Sequence, residues 1–283
     1  MQSGIKYILI ANLFSLFIEI SIKSLSQVPF YFIAFYRSII ITFICVGYLC
    51  IKKVSLLGNS KKRLFMRGIT GTVALIFYFI TLQKLPLAFA VSLQYLSPMF
   101  AVLFVSILAK KLPRKIDLLS LFLSLLGIVV MGEFEGTSYS WLYGIMGLLS
   151  AIFSGLAYTN INRLNKTDNT VVIMLYFSAI TLISLTPYCA FHWKKDFSPQ
   201  NYFLLIFIGV ASYITQYFVT KAYQATSTIL IASTYYLNLV FASLIGHVFW
   251  REALTRQIIA GIILIIIANI LINIKKEETP FSI

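Results

Sequence analysis

Glu19 and Arg37 are the two ionisable residues that lie well inside apolar stretches of this chain. Glu19 stands three residues before the end of one apolar run and Arg37 seven residues into the next. At 1.5 Å per helical residue their depths are roughly 5 Å and 10 Å from the same surface. A lone charge within a bilayer is costly, so such residues either find a partner or serve function. We expect a Glu19–Arg37 ion pair, with Lys23 one turn further on sharing the carboxylate. Its role would be a structural clamp or the coupling of a proton or a substrate.

A second group is polar but uncharged. Gln94, Tyr95, Ser97 and Pro98 fall together halfway along an apolar run. Proline lacks an N–H and crowds the carbonyl four residues earlier, here that of Gln94, so Pro98 is expected to kink a helix and act as a hinge. Residues at i, i+3, i+4 and i+7 share a helix face. That spacing aligns Asn12, Ser15, Glu19 and Lys23, and likewise Gly71, Ala74, Tyr78 and Thr81. It also aligns Gly147, Ala151, Ser154 and Tyr158, then Tyr213, Gln216, Tyr217 and Thr220, and finally Tyr235, Asn238 and Ala242. A tyrosine hydroxyl at mid-membrane needs a partner. We therefore expect Tyr78, Gln94, Tyr95, Tyr213, Gln216, Tyr217, Tyr235 and Asn238 to line a substrate chamber. Small and hydroxyl residues also serve plain helix packing, which suffices for Ser15, Ser154 and Gly71.

These residues have to be positioned by membrane helices. The 283-residue chain is 59% apolar and 11% charged, whereas a soluble domain carries about a quarter charged residues. Apolar runs of roughly 18–22 residues match ~30 Å of hydrocarbon. Ten spans follow, at 5–22, 30–51, 64–82, 87–109, 116–132, 141–162, 170–191, 201–221, 228–249 and 256–274. The first lacks a small-residue cleavage pattern and reads as a retained helix. Cys45, Cys50 and Cys189 fall in spans without paired spacing, so no disulfide and no metal site are expected.

The net charge of +14 is explained by topology. With the amino terminus cytoplasmic, the inner side holds Lys6, Lys52, Lys53, Lys61, Lys62, Arg63, Arg67, Lys110, Lys111, Arg114, Lys115, Arg163, Lys166, Lys221, Lys275 and Lys276. The outer side holds Lys23, Lys84, Lys194, Lys195, Arg251 and Arg256. Cytoplasmic loops concentrate Lys and Arg, so both termini are expected in the cytoplasm. Nucleic-acid binding is then unnecessary, while membrane lipids are partners.

Tyr217-Phe218-Val219-Thr220 echoes Tyr78-Phe79-Ile80-Thr81, and Phe241-Ala242 echoes Phe100-Ala101. Two five-helix halves, residues 1–138 and 139–283, enter the membrane from opposite sides because five is odd. An inverted repeat places a transporter's site near mid-membrane between the halves. Leu85-Pro86-Leu87-Ala88, Ser97-Pro98-Met99-Phe100, Arg37 and Glu252-Ala253-Leu254 make the chain resemble the EamA-type drug/metabolite transporter superfamily along its whole length. Lys111-Leu112 stands where that family often has an acidic residue. Lys221-Ala222-Tyr223 and the Tyr236 region are similar to the branch of S-adenosylmethionine and riboflavin carriers.

The resemblance implies an all-α, polytopic membrane protein that is a secondary carrier of small organic solutes. The expected cargo is an amino acid, a cofactor-like solute or a cationic or aromatic solute, moved by alternating access, with possible proton or counter-solute coupling. A multiply anionic cargo is not expected. No cofactor is expected, and the location is the cell membrane, the inner one in a bacterium. A channel or receptor is the alternative class. A membrane-embedded enzyme is disfavoured because His192 and His247 lie near the outer surface with no metal-like spacing.

Overall fold

The structure, a computed structural model, describes residues 2–110, 112–113, 115–132, 141–164, 167–192, 197–225, 231 and 234–274. All regular secondary structure among them is helical. The helices are α1 (Gln2–Ser24), α2 (Phe30–Ile51), α3 (Lys61–Lys84), α4 (Leu87–Gln94), α5 (Ser97–Leu108) and α6 (Lys115–Gly132). They continue with α7 (Trp141–Leu164), α8 (Thr170–Phe191), α9 (Pro199–Ala225), α10 (Tyr235–Trp250) and α11 (Arg256–Ile274). Among the described residues, seven segments are long and apolar enough to cross a membrane, with α4 and α5 together making one of them. Shorter apolar helices cover Leu118–Met131, Asn238–Trp250 and Arg256–Ala268.

Large apolar side chains turn outward as well as inward. Phe43, Ile51 and Phe191 are 82%, 80% and 88% exposed, as expected where lipid rather than water surrounds the bundle. The interior holds both apolar residues such as Phe32, Leu82 and Leu93 and many buried Ser and Thr. Several of those hydroxyls satisfy themselves on the carbonyl one turn back, as Ser38 does on Ala34 and Thr181 on Phe177.

The expected fourth span is two helices rather than one kinked helix. α4 stops at Gln94, and Tyr95 and Leu96 form the joint, with ψ of −1° and −18°. Pro98 therefore sits in the first turn of α5, where its missing N–H costs nothing. The third span also begins earlier than expected, at Lys61 rather than residue 64.

The helices pack as a set of long pairs. α3 runs against α7, α1 against α9, α2 against α8 and α6 against α11, while α8 also meets α3 and α9 also meets α2. Glycines permit the closest approaches. A methyl on Gly127 would stand 2.8 Å from the Gly261 carbonyl, and one on Gly261 would stand 2.5 Å from the Gly127 carbonyl. Close backbone approach through small residues is a usual means of joining membrane helices.

Polar contacts fasten the bundle at both ends. At one end, Asp168 accepts from the backbone N–H groups of Asn59 and Ser60, pinning the α2–α3 turn to the α7–α8 turn. Gly58 has a φ of +62°, a conformation glycine adopts freely. At the other end, Lys23 forms an ion pair with Glu252 and donates to the Leu85 carbonyl at 2.9 Å. The Glu252 carboxylate also accepts from the Leu87 N–H at 2.8 Å, at the positive end of α4.

Candidate functional site

Between α1, α2, α3, α4, α5, α7, α8 and α9 lies a cavity of about 120 Å³, far more than the roughly 10–15 Å³ a single water requires. Arg67 and Tyr78 both line it from α3. The Arg67 guanidinium reaches along the helix to Gly71, seven positions from Tyr78, so the cavity extends about 10 Å along α3. Its walls combine aromatic rings with a few convergent polar groups, the usual make-up of a small-molecule site.

The expected Glu19–Arg37 ion pair is not formed. Both residues line the cavity, but Glu19 Oε1 accepts instead from the Tyr78 hydroxyl at 2.7 Å and from Ser15 Oγ at 3.1 Å. Similar depth does not suffice when neighbouring helices rotate their side chains toward other partners. Lys23 is also absent from the Glu19 carboxylate, because its ammonium is committed to Glu252 and Leu85.

Arg37 instead lies over the Phe177 ring, its guanidinium carbon 5.2 Å from the centroid. A second guanidinium shares that ring. Arg67, counted in the sequence among the charges of the inner side, is 3% exposed and 4.4 Å from the same centroid. Its Nη2 donates to Gln216 Oε1 at 3.3 Å. Gly71, one turn further along α3, makes this possible. A methyl there would collide with Arg67 Nη1 and stand 2.8 Å from the Phe177 ring. Cation–π contact offsets part of the cost of removing a guanidinium from water.

Several polar atoms of this cavity have no partner among the described residues. They are Glu19 Oε2, Arg37 Nη1, Arg67 Nε and Nη1, Ser212 Oγ and Thr215 Oγ1. Buried polar atoms are otherwise nearly always paired, so an unpaired group in a cavity points to something that binds there.

Of the uncharged candidates, Tyr78, Gln94, Tyr95 and Gln216 line the cavity. The Gln94 amide is held at both ends, donating from Nε2 to Ser154 Oγ at 3.0 Å and accepting from Ser150 Oγ at 2.9 Å. Asn238 stands behind the wall, where its Nδ2 donates to the backbone carbonyl of Asn12, a lining residue, at 2.7 Å. Pro98 is buried beside the cavity, and it is the preceding Ser97 that faces it. The Tyr235 side chain lies outside the described part of the structure.

Tyr213 and Tyr217 do not line the cavity. They stack on one another at 6.4 Å, and the Lys221 ammonium lies 5.8 Å from the Tyr217 ring. The lining face of α9 is Ser212, Thr215, Gln216 and Val219, one residue off the expected stripe. Arg67, Tyr158 and Phe177 complete the site, and the sequence did not single them out as lining residues. Tyr158 had a signal, since it shares a face with Ser154 at helical spacing. Phe177 had none that separates it from the other phenylalanines.

The EamA-like transporter family profile matches residues 2–132 and again residues 141–274. The chain is 31% identical to the pseudopaline exporter CntI of Pseudomonas aeruginosa over 98% of both chains. It is 27% identical to an uncharacterised transporter of Helicobacter pylori, over 95% of this chain and 94% of that one. A solved crystal structure shares the fold with a TM-score of 0.69 over 96% of each chain at 19% identity. With apolar helical segments packed around a polar cavity and the family profile across nearly its whole length, this chain is a multi-pass membrane protein belonging to the EamA-like transporter family.

Proposed function

We propose that the protein is a secondary carrier that moves a small organic solute through the central cavity by alternating access. The observation that carries this reading is the cavity itself. It is mid-bundle, aromatic-walled, and lined by Glu19, Arg37 and Arg67, which hold buried atoms without partners among the described residues. Intramembrane ionisable groups of this kind mark solute or ion pathways. The Pseudomonas relative is an exporter by name, which favours outward movement here.

The helix pairing supports two inverted five-helix repeats, residues 1–138 and 139–283. Exchanging α1 with α7, α2 with α8, α3 with α9, the α4–α5 unit with α10, and α6 with α11 carries most of the principal pairs onto one another, although among the described residues the close α5–α7 pair has only a weaker counterpart between α10 and α1. The α3–α7 pair becomes α9–α1, the α3–α8 pair becomes α9–α2, and α2–α8 and α6–α11 map onto themselves. Such symmetry suits a cavity that opens to one face at a time. The bias of Lys and Arg favours cytoplasmic termini and, in a bacterium, insertion in the inner membrane.

Counterflow in proteoliposomes tests the reading. Vesicles loaded with a labelled metabolite extract should release particular components in a saturable manner, faster when the same components are present outside. Linear, unsaturable leakage without that stimulation would indicate a channel instead.

A further inference from the structure

We propose that Lys23 and Glu252 are an electrostatic latch on a door between α1 and α10, and that the cavity opens toward the Glu252 end when this pair separates. This rests on the carrier reading and goes further by assigning the gate and what holds it shut. Glu19 lines the cavity one helical turn before Lys23, so the latch stands over the Glu19 end. α10 and α1 are tied in two places. Near the start of α10, Asn238 Nδ2 donates to the Asn12 carbonyl at 2.7 Å, and Asn12 Nδ2 donates to the Thr234 carbonyl at 3.2 Å. Further along α1, about 16 Å away at 1.5 Å per residue, Lys23 meets Glu252 just past the far end of α10. Among the described residues, the packing of α10 on α1 is much weaker than that of α5 on α7.

The opposite end is closed by other means. α4 starts at Leu87, which Glu252 holds, and α5 continues away from it to pack closely along α7. Gly155 sets that spacing, since a methyl on it would stand 2.7 Å from Phe100 Cβ and 3.0 Å from the Ala101 N. Helices that meet closely through small residues lose many weak contacts at once when they part. A loosely packed pair bridged by one ion pair has a single strong contact to break. The α1–α10 side is therefore the side that yields.

The seat of the Glu252 carboxylate has no mate in the sequence of the first half. Gly246 leaves room for it, because a methyl there would collide with Glu252 Oε2. The Leu87 N–H donates to it at 2.8 Å, and the Lys23 ammonium lies 5.7 Å from the Trp250 ring. Arg251, just before Glu252, is left-handed at φ +52°, and Lys110 repeats that turn at φ +53°. The register that sets Phe100-Ala101 on Phe241-Ala242 also sets Lys110 on Arg251. It puts Val105 at the place of Gly246 and Lys111 at that of Glu252. Valine carries the side chain whose absence makes the seat, and lysine has the wrong charge for it; Lys111 itself lies outside the described residues. The halves share the turn and differ in the latch.

The test uses the full-length protein in oriented vesicles, with Ala74→Cys as its single cysteine and a membrane-impermeant maleimide as the probe. Glu252→Gln keeps an acceptor for the Leu87 N–H but cancels the charge, and Lys23→Gln keeps a donor for the Leu85 carbonyl. Each should speed labelling from the Glu252 end about threefold to tenfold, and both together no more than either alone, because they remove one pair. Raising the salt from about 0.1 M to about 1 M shortens the screening length from ~10 Å to ~3 Å. That should speed labelling from the Glu252 end relative to the opposite end, and the response should vanish in Glu252→Gln. Gly155→Ala, which wedges α5 from α7, should speed labelling from the opposite end instead. Labelling that neither glutamine variant alters, single effects that multiply in the double variant, or a salt response undiminished in Glu252→Gln overturns the latch. The salt response of the unaltered pair decides the matter even where a variant fails to fold. Faster labelling from the Glu252 end with no loss from the opposite end would sink the carrier reading and leave the latch standing. Labelling that alternates between the ends but ignores both glutamine variants would do the reverse.

Discussion

The Tyr78 hydroxyl donates to Glu19 Oε1 across 2.7 Å, joining α1 to α3 at one end of the cavity. Glu19 is thereby fixed by its neighbours without being neutralised by them, since Ser15 and Tyr78 donate hydrogen bonds but carry no positive charge. The carboxylate is held in place and still available to a solute.

Removing that donor should be felt in both stability and binding. Tyr78→Phe keeps the ring and deletes the hydroxyl, leaving Glu19 with Ser15 alone. A lost hydrogen bond to a buried charged group costs about 1.5–3 kcal/mol. Thermal unfolding in detergent should show a lower midpoint, and solute affinity should fall. Adding Glu19→Gln should produce less than the sum of the two separate losses, because the residues act as a unit.

Gln94 sits at the end of α4, braced by Ser150 and Ser154 of α7. Gln94→Ala should lower solute affinity while folded protein is still recovered, because its amide faces the cavity. Tyr217→Ala, by contrast, should leave affinity within about twofold, since the ring lies outside the lining and changes away from a site are usually small in effect. Binding titrations of the two variants side by side check the contrast.

How much of the site is legible in the sequence differs from residue to residue. Gln94 and Tyr78 can be read into the cavity because a polar group in a long apolar run is costly unless it meets water or another polar group. Arg67 cannot, because Lys61, Lys62 and Arg63 just before it make it read as one more charge of the inner side. It stands at the inner end of the expected span, and what buries it is the turn of its side chain along α3 to Gly71 and the Phe177 ring. The α9 face is misjudged by one residue because Tyr213 and Tyr217 are conspicuous, while Ser212 and Thr215 give a weak hydropathy signal. The Glu19–Arg37 pairing follows from depth, which counts residues along each helix and is blind to rotation about its axis. The Lys23–Glu252 pair joins residues more than two hundred positions apart, and spacing says nothing about such a contact.

Gly71 separates packing from recognition. Gly71→Ala should press on Arg67 Nη1 and the Phe177 ring. The long arginine side chain can move aside, so the protein should fold with a modest loss. Affinity for solutes should drop about tenfold, the size expected when a charged hydrogen bond is misplaced. Parallel unfolding and binding measurements distinguish this from general destabilisation.

The α6–α11 pair should behave in the opposite way. Gly127 and Gly261 approach one another's carbonyls, and the two helices make their principal contact with each other, away from the cavity. Gly261→Ala should cost about 1–3 kcal/mol by overpacking. Solute affinity of the protein that remains folded should be unchanged, as read by titration of the folded fraction after size exclusion.

A cavity that opens to one face of the membrane at a time can be tested by a single labelling measurement, without knowledge of the cargo. Ala74 lines the cavity and is buried. Ala74→Cys, made after replacing Cys45, Cys50 and Cys189, is exposed to a membrane-impermeant thiol reagent from each side of oriented vesicles. The measurement is then repeated with Glu252→Ala, which removes the partner of Lys23 and of the Leu87 N–H. A carrier predicts labelling from both sides, with Glu252→Ala raising it from the Glu252 end and lowering it from the opposite end. Labelling that rises from both sides together, or that reaches the position from one side only and ignores Glu252→Ala, would contradict alternating access.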